Sequence, residues 1–189
     1  MQTPERTTLA EIVRAGRDVL ESGGPDGLTM QAVALRVGVR APSLYKRVRN
    51  REALVGLVAE ATLSELSARV DAAAGGDDDE PRAALRRMAR AARDFARARP
   101  AGFRLLFAPG ADLPFDTASL QAASAPIVRV AGRLAGEGHA LDAARTFTAW
   151  LNGFVSMELA GAFRLGGDVE AAFEFGLDRL ASALGEPSA

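Results

Sequence analysis

Two short apolar runs on either side of one glycine constrain this chain more than any other feature. Met30, Val33, Ala34 and Val37 recur at helical spacing behind Thr29, a residue type that caps helices. Gly38 follows where a left-handed residue commonly ends a helix. Beyond the turn Gly38-Val39-Arg40-Ala41, Leu44 and Val48 stand four residues apart. They mark the inner face of a further short helix near Pro42–Arg47, with Pro42 tolerable in its first turn. Leu28–Arg47 therefore reads as a helix, a tight turn and a second helix that projects outward.

The flanking sequence is helical as well. Thr8 and Glu11 have capping-box spacing, and Leu9, Ile12, Val13, Gly16, Val19 and Leu20 form the stripe of a first helix that stops at Ser22-Gly23-Gly24-Pro25. Asn50 is placed to cap a long fourth helix carrying Leu54, Leu57, Val58, Ala61, Leu66 and Val70. Residues 72–81, with Gly75-Gly76 and Asp77-Asp78-Asp79-Glu80, read as a flexible acidic connector. Further helical runs follow around Leu85–Phe95, around Phe103–Phe107, from about Thr117 to Leu134 with a kink or split expected at Pro126, and near Leu141–Leu165 and Asp168–Leu184. The expected fold is all-α with about nine helices. A three-helix head over residues 1–50 should precede a larger helical domain over residues 51–189.

Charge is distributed unevenly along the chain. Residues 1–55 carry nine basic side chains against six acidic ones, whereas the whole chain has a net charge of −1. From Arg36 to Arg51 there are six positive charges and no negative one. A polyanion is expected to sit there. A helix fits the major groove of B-form DNA, and a second helix behind it fixes the approach angle. The pattern and the charge together point to DNA as the partner of Leu28–Arg47.

Several other chemistries are excluded or unsupported. The chain has no cysteine, so disulfides, thiolate metal sites and cysteine nucleophiles are ruled out. His139 is the only histidine, lies in Gly136-Glu137-Gly138-His139, and cannot by itself form a histidine metal cluster. No phosphate-binding glycine loop, GxSxG elbow or EF-hand spacing is present, so neither an enzyme nor a cofactor is expected. Residues 1–8 lack a signal-peptide apolar run, and charged residues interrupt every candidate membrane span. A cytoplasmic protein without membrane association is the expectation.

The segments Leu28-Thr29-Met30-Gln31-Ala32-Val33-Ala34, Val37-Gly38-Val39, Ser43-Leu44-Tyr45-Lys46-Arg47-Val48 and Asn50-Arg51-Glu52-Ala53-Leu54 resemble the TetR family of bacterial regulators over about residues 8–58. More weakly, Trp150-Leu151-Asn152-Gly153-Phe154 with Met157-Glu158-Leu159-Ala160-Gly161 resembles a TetR-type ligand domain, with Asn152 where a histidine is usual. The resemblance implies that Thr29, Tyr45 and Lys46 contact phosphates, that Arg51 holds the basic position at the fourth helix, and that Arg40, Ala41, Pro42 and Ser43 lie where base edges are met; Arg47 completes the outward face. Arg40 departs from a common Ser or Thr, and Val48 from a common aromatic.

The same resemblance implies a homodimer built from the last two helices. The small residues Gly153, Ala160 and Gly161 suit close helix approach, and Phe173, Leu177, Leu180 and Leu184 form a stripe that is either part of that interface or intrachain core. It also implies a pocket for a small-molecule effector among the middle helices. Candidate walls are Leu57, Met88, Phe95, Phe103, Phe107, Trp150, Phe154 and Met157, with Arg93, Arg104, Asn152 and Glu158 as orienting polar groups. The functional expectation is a ligand-responsive repressor on a near-palindromic DNA operator. The alternatives are a small-molecule binding protein whose head no longer binds DNA and, without paired catalytic groups, an enzyme.

Overall fold

The computed structural model describes residues 7–107, 113 and 115–185. Among these the chain is all-α: α1 (Leu9–Gly27), α2 (Met30–Arg36), α3 (Ala41–Leu44), α4 (Arg51–Ala74), α5 (Pro81–Ala98), α6 (Pro100–Phe107), α7 (Thr117–Ala135), α8 (Ala140–Leu159) and α9 (Val169–Leu184). A 3₁₀ turn, Glu137–His139, leads into α8. The helices group into two compact units. One takes the residues up to Leu63 together with Arg99–Phe115, and the other takes Ser64–Ala98 and the residues from Asp116 onward. α4 thus begins in the first unit and ends in the second, while α6 belongs with the first.

In the first unit, local signals set the helix ends. Thr8 Oγ1 accepts from the Glu11 amide at 3.2 Å, and the Thr8 amide donates back to Glu11 Oε2 at 2.7 Å. The Thr8 amide and, after it, the Thr8 hydroxyl donating to the same Oε2 at 3.0 Å hold the Glu11 carboxyl below the usual carboxylate range. α1 breaks at Gly24, whose φ of 66° few other residues adopt, and one last turn runs through Pro25 to Gly27. The core joins Ile12, Leu20, Leu28, Val33, Leu44, Val48, Leu54 and Val58, with Leu105 of α6. Gly16 lets α1 close on α4, because a Cβ there would stand 2.7 Å from Val58 Cγ2. At the start of α6, the Glu21 carboxylate accepts from the amides of Ala101 (3.0 Å) and Gly102 (2.9 Å), two donors that a helix start leaves unpaired.

The second unit is built on α5. Leu85, Met88 and Ala89 of α5 pack with Val130 of α7, Phe147 of α8 and Phe173, Leu177 and Ala181 of α9. Trp150 of α8 lies over Gly176 of α9, where a Cβ would come within 2.7 Å of its ring.

Three sequence expectations need correction. α7 runs unbroken through Pro126 instead of splitting, with the proline ring itself buried. The acidic connector is tied down: Arg87 donates to the carbonyls of Ala73 (3.0 Å) and Ala74 (3.3 Å) and to Asp79 (2.6 Å), Arg129 reaches Asp77 at 3.1 Å, and Arg133 donates to the Asp79 carbonyl. The outward helix of the head is regular only over Ala41–Leu44 and continues as turns.

Candidate nucleic-acid interface and the arginine cluster of the second unit

The head presents its outer surface through anchors on both sides of the turn. Thr29 Oγ1 caps α2 by accepting from the Ala32 amide at 3.1 Å. Gly38 takes a φ of 73°, and the Val39 amide returns to the Ala34 carbonyl at 2.9 Å, pinning the turn to α2. Leu44 and Val48 are buried, and the amides of Arg47 and Val48 both return to the Leu44 carbonyl, at 2.8 and 2.9 Å. One helical turn is thereby fixed against the core by its apolar face. Arg40, Pro42, Ser43, Lys46 and Arg47 are exposed, Ala41 is half-buried, and Tyr45 is 54% exposed. Asn50 Oδ1 accepts from the Ala53 amide at 2.8 Å and caps α4 as its position implied.

Arg51 points elsewhere. Its Nε donates to the Leu28 carbonyl at 2.9 Å and its Nη2 to the Pro25 carbonyl at 2.6 Å. The guanidinium ties the first turn of α4 to the junction of α1 and α2. Arg36 pairs with Asp18 at 3.3 Å, both half-exposed.

The second unit uses arginine in a different way. Arg86, Arg90, Arg93 and Arg97 follow one face of α5, and they meet Asp178, Glu174 and Glu170 of the antiparallel α9 in descending order. Arg90 grips Glu174 through both Nε (2.8 Å) and Nη2 (2.6 Å), and these bonds hold the Glu174 carboxyl below its usual range. Arg93 is the centre of the cluster. Only 2% exposed, it donates twice to Glu158 of α8 (2.9 and 2.8 Å) and once to Glu170 (2.8 Å), with its guanidinium 4.1 Å from the Phe173 ring centre. Burial works against the charge on Arg93, yet the bonds and charge of Glu158 outweigh it and hold the guanidinium above its ordinary value. Glu158 is held below the glutamate range by its bonds from Arg93, which outweigh its own burial, and then by those from Arg97. The result locks α5, α8 and α9 together.

The expected ligand-binding residues belong to both units. Leu57, Phe103 and Phe107 fall in the first unit, while Met88, Phe95, Trp150, Phe154 and Met157 fall in the second. Met88, Phe95 and Phe103 are buried, Leu57, Trp150 and Phe154 half-buried, and Phe107 and Met157 exposed. Arg93 and Glu158 do meet, though in a bidentate pair with each other. Half of the α9 stripe is core: Phe173 and Leu177 are fully buried against their own chain, whereas Leu180 and Leu184 pack against the same cluster and stay half-buried. Gly153, Ala160 and Gly161 remain exposed. Sequence reasoning missed Glu21, Glu170 and the pairing of α5 with α9. The four-residue spacing of Glu170, Glu174 and Asp178 against Arg86, Arg90, Arg93 and Arg97 carried the signal. Among the described residues no acidic or histidine cluster could hold a metal ion, and no helix is long and apolar enough to cross a membrane.

Comparison with known proteins agrees with this architecture at both ends. Residues 12–58 match the family model for bacterial regulatory proteins of the tetR family, and residues 85–180 match that of the tetracyclin repressor-like C-terminal domain. An uncharacterised HTH-type transcriptional regulator of Mycobacterium tuberculosis is 31% identical over 164 residues, covering 84% of this chain and 73% of that protein. The chain belongs to the TetR family. Against the class A tetracycline repressor of Escherichia coli from transposon 1721, TetR identity reaches 46% over 54 residues, which is 29% of this chain and 25% of that protein. Structurally, a TetR variant from Acinetobacter baumannii AYE, solved in complex with minocycline, superposes with a TM-score of 0.71 at 24% identity over 94% of this chain and 96% of that one. As a TetR-family member the chain is a DNA-binding, ligand-responsive transcriptional regulator and not an enzyme.

Proposed function

We propose that the chain is a homodimeric repressor, released from a near-palindromic DNA operator by a small molecule. One observation carries this reading: the turn Lys46–Arg47 and its neighbours are held outward by buried Leu44 and Val48, within a stretch from Arg36 to Arg51 that has no acidic residue. Residues 1–50 would supply the base and phosphate contacts, and residues 51–189 the effector site and the dimer contact. For that contact, Gly153 and Met157 (48% exposed) lie exposed on α8, Ala160 lies exposed just beyond its end, and Phe175 of α9 is 64% exposed. An exposed apolar set of this kind suits a second copy of the chain. In the second unit, Met88, Trp150 and Phe154 offer adaptable apolar walls to an effector. A DNA operator as partner implies a cytoplasmic protein.

Selection of bound duplexes from a random library, followed by footprinting, tests the proposal. The expected result is an inverted repeat whose half-sites are about one helical turn, ~34 Å, apart. Enrichment of no sequence, or of a single unrepeated half-site, would overturn the dimeric repressor.

A further inference from the structure

The two arginines flanking Asn50 are in opposite situations. Arg51, at the basic position of the fourth helix that the family resemblance counts among the DNA-binding residues, has its Nε and Nη2 engaged by the Leu28 and Pro25 carbonyls at 2.9 and 2.6 Å. These two long-range bonds fix the direction of the guanidinium and tie the α1–α2 junction to α4. Arg49 is exposed, lies in the irregular link between α3 and α4, and makes no hydrogen bond or ion pair with another described residue. It shares a groove of about 400 Å³ with Arg47, lined also by Val48, Ala53, Gly56 and Leu57, with Glu60 its only acidic lining residue. Buried Val48 sits between the two arginines in sequence and anchors the link that carries both. Glu52, the other nearby carboxylate, takes the Asn50 side-chain amide.

We infer that Arg49, beside Arg47, binds the sugar–phosphate backbone of duplex DNA, and that Arg51 is a positioning residue which holds the start of α4 to the α1–α2 junction. The assignment rests on the DNA-binding reading above. It also departs from the DNA-binding role that the resemblance implies for Arg51, because its Nε and Nη2 are already engaged by two long-range carbonyls that give it a structural task. A free guanidinium on a short exposed link can follow a phosphate with little reorganisation.

Salt dependence separates the two roles. Each phosphate neutralised adds about 0.9 to the magnitude of the slope of log K against log salt concentration. Binding of the full-length wild type, Arg49→Ala, Arg51→Ala and Arg51→Lys to a mixed-sequence DNA duplex is titrated over a range of salt. Arg49→Ala is expected to reduce the slope by about 0.9 per head. Arg51→Ala is expected to leave the slope unchanged while lowering the thermal midpoint, with Arg51→Lys behaving alike because an ammonium cannot serve both carbonyls in the same geometry. Partial unfolding of a variant changes the amount of active protein and not this slope, so a weakened fold does not mimic the result. A reduced slope in Arg51→Ala that Arg51→Lys restores, or an unchanged slope in Arg49→Ala, overturns the assignment. Absence of any duplex binding by the wild type would overturn the DNA-binding reading, and this inference with it.

Discussion

The head and the second unit draw on the same residue type for opposite purposes. In the head, Arg40, Arg47 and Arg49 are exposed and make no ion pair with another described residue, and the apolar anchors beneath them carry the stability. On α5, Arg86, Arg90, Arg93 and Arg97 all find carboxylates on α8 or α9, and Arg93 is buried in the process. A cation left unpaired keeps its full attraction for a polyanion, whereas a paired one has spent it on the fold. The function of an arginine in this chain therefore depends on whether a carboxylate or, as for Arg51, a backbone carbonyl engages it, and the charge count alone does not reveal it.

The sharpest way to break the contrast is to remove the buried member. Arg93→Ala leaves the largely buried Glu158 without its main partner, and loss of one half of a buried ion pair costs about 3–5 kcal/mol. Chemical denaturation should show this loss, while Arg47→Ala should leave the midpoint nearly unchanged. Arg93→Met is expected to recover part of the deficit only when combined with Glu158→Gln, because the pair and not the volume is then replaced.

Acid should weaken the arginine–carboxylate cluster of the second unit. Glu158 and Glu174 have folded values below those of the unfolded chain, held there chiefly by Arg93 and Arg90 respectively. Their stabilisation is therefore fully present above the ordinary glutamate range and is lost as the pH falls below it through the lowered folded values. Stability measured against pH should fall on acidification, and Glu158→Gln should flatten that fall. An equally steep curve in the variant would remove Glu158 from the account.

The smallest of these effects belongs to the one carboxylate of the head that does structural work on α6. Glu21→Ala deprives the Ala101 and Gly102 amides of their acceptor, at a cost of about 1–2 kcal/mol as for other lost helix caps. Hydrogen exchange of peptides covering Arg99–Phe107 should accelerate, with the exchange of α8 unaltered.

What the sequence made legible is what depends on near neighbours. The Thr8–Glu11 box, the Asn50 cap, the Gly38 turn and the Leu44–Val48 anchor each involve residues no more than a few positions apart, and all four stand in the structure. The partners of Arg51 lie 23 and 26 residues away, and Arg93 meets Glu158 across 65. No local period announces such pairs. The α9 stripe shows a related ambiguity, since Phe173 and Leu177 would repeat identically whether they met a partner or their own α5 and α8. Pro126 illustrates the remaining difficulty: a proline removes one backbone donor, but burial of its ring against neighbouring helices can keep the helix whole.

The chain contains one tryptophan and one tyrosine. Trp150 belongs to the second unit, half-buried and 5.6 Å from the Phe173 ring, and Tyr45 stands exposed on the head. Each unit therefore carries its own intrinsic chromophore. Indole emission follows the packing of α8 on α9, phenol absorbance follows the occupancy of the outward turn, and the two can be recorded from the same unlabelled sample.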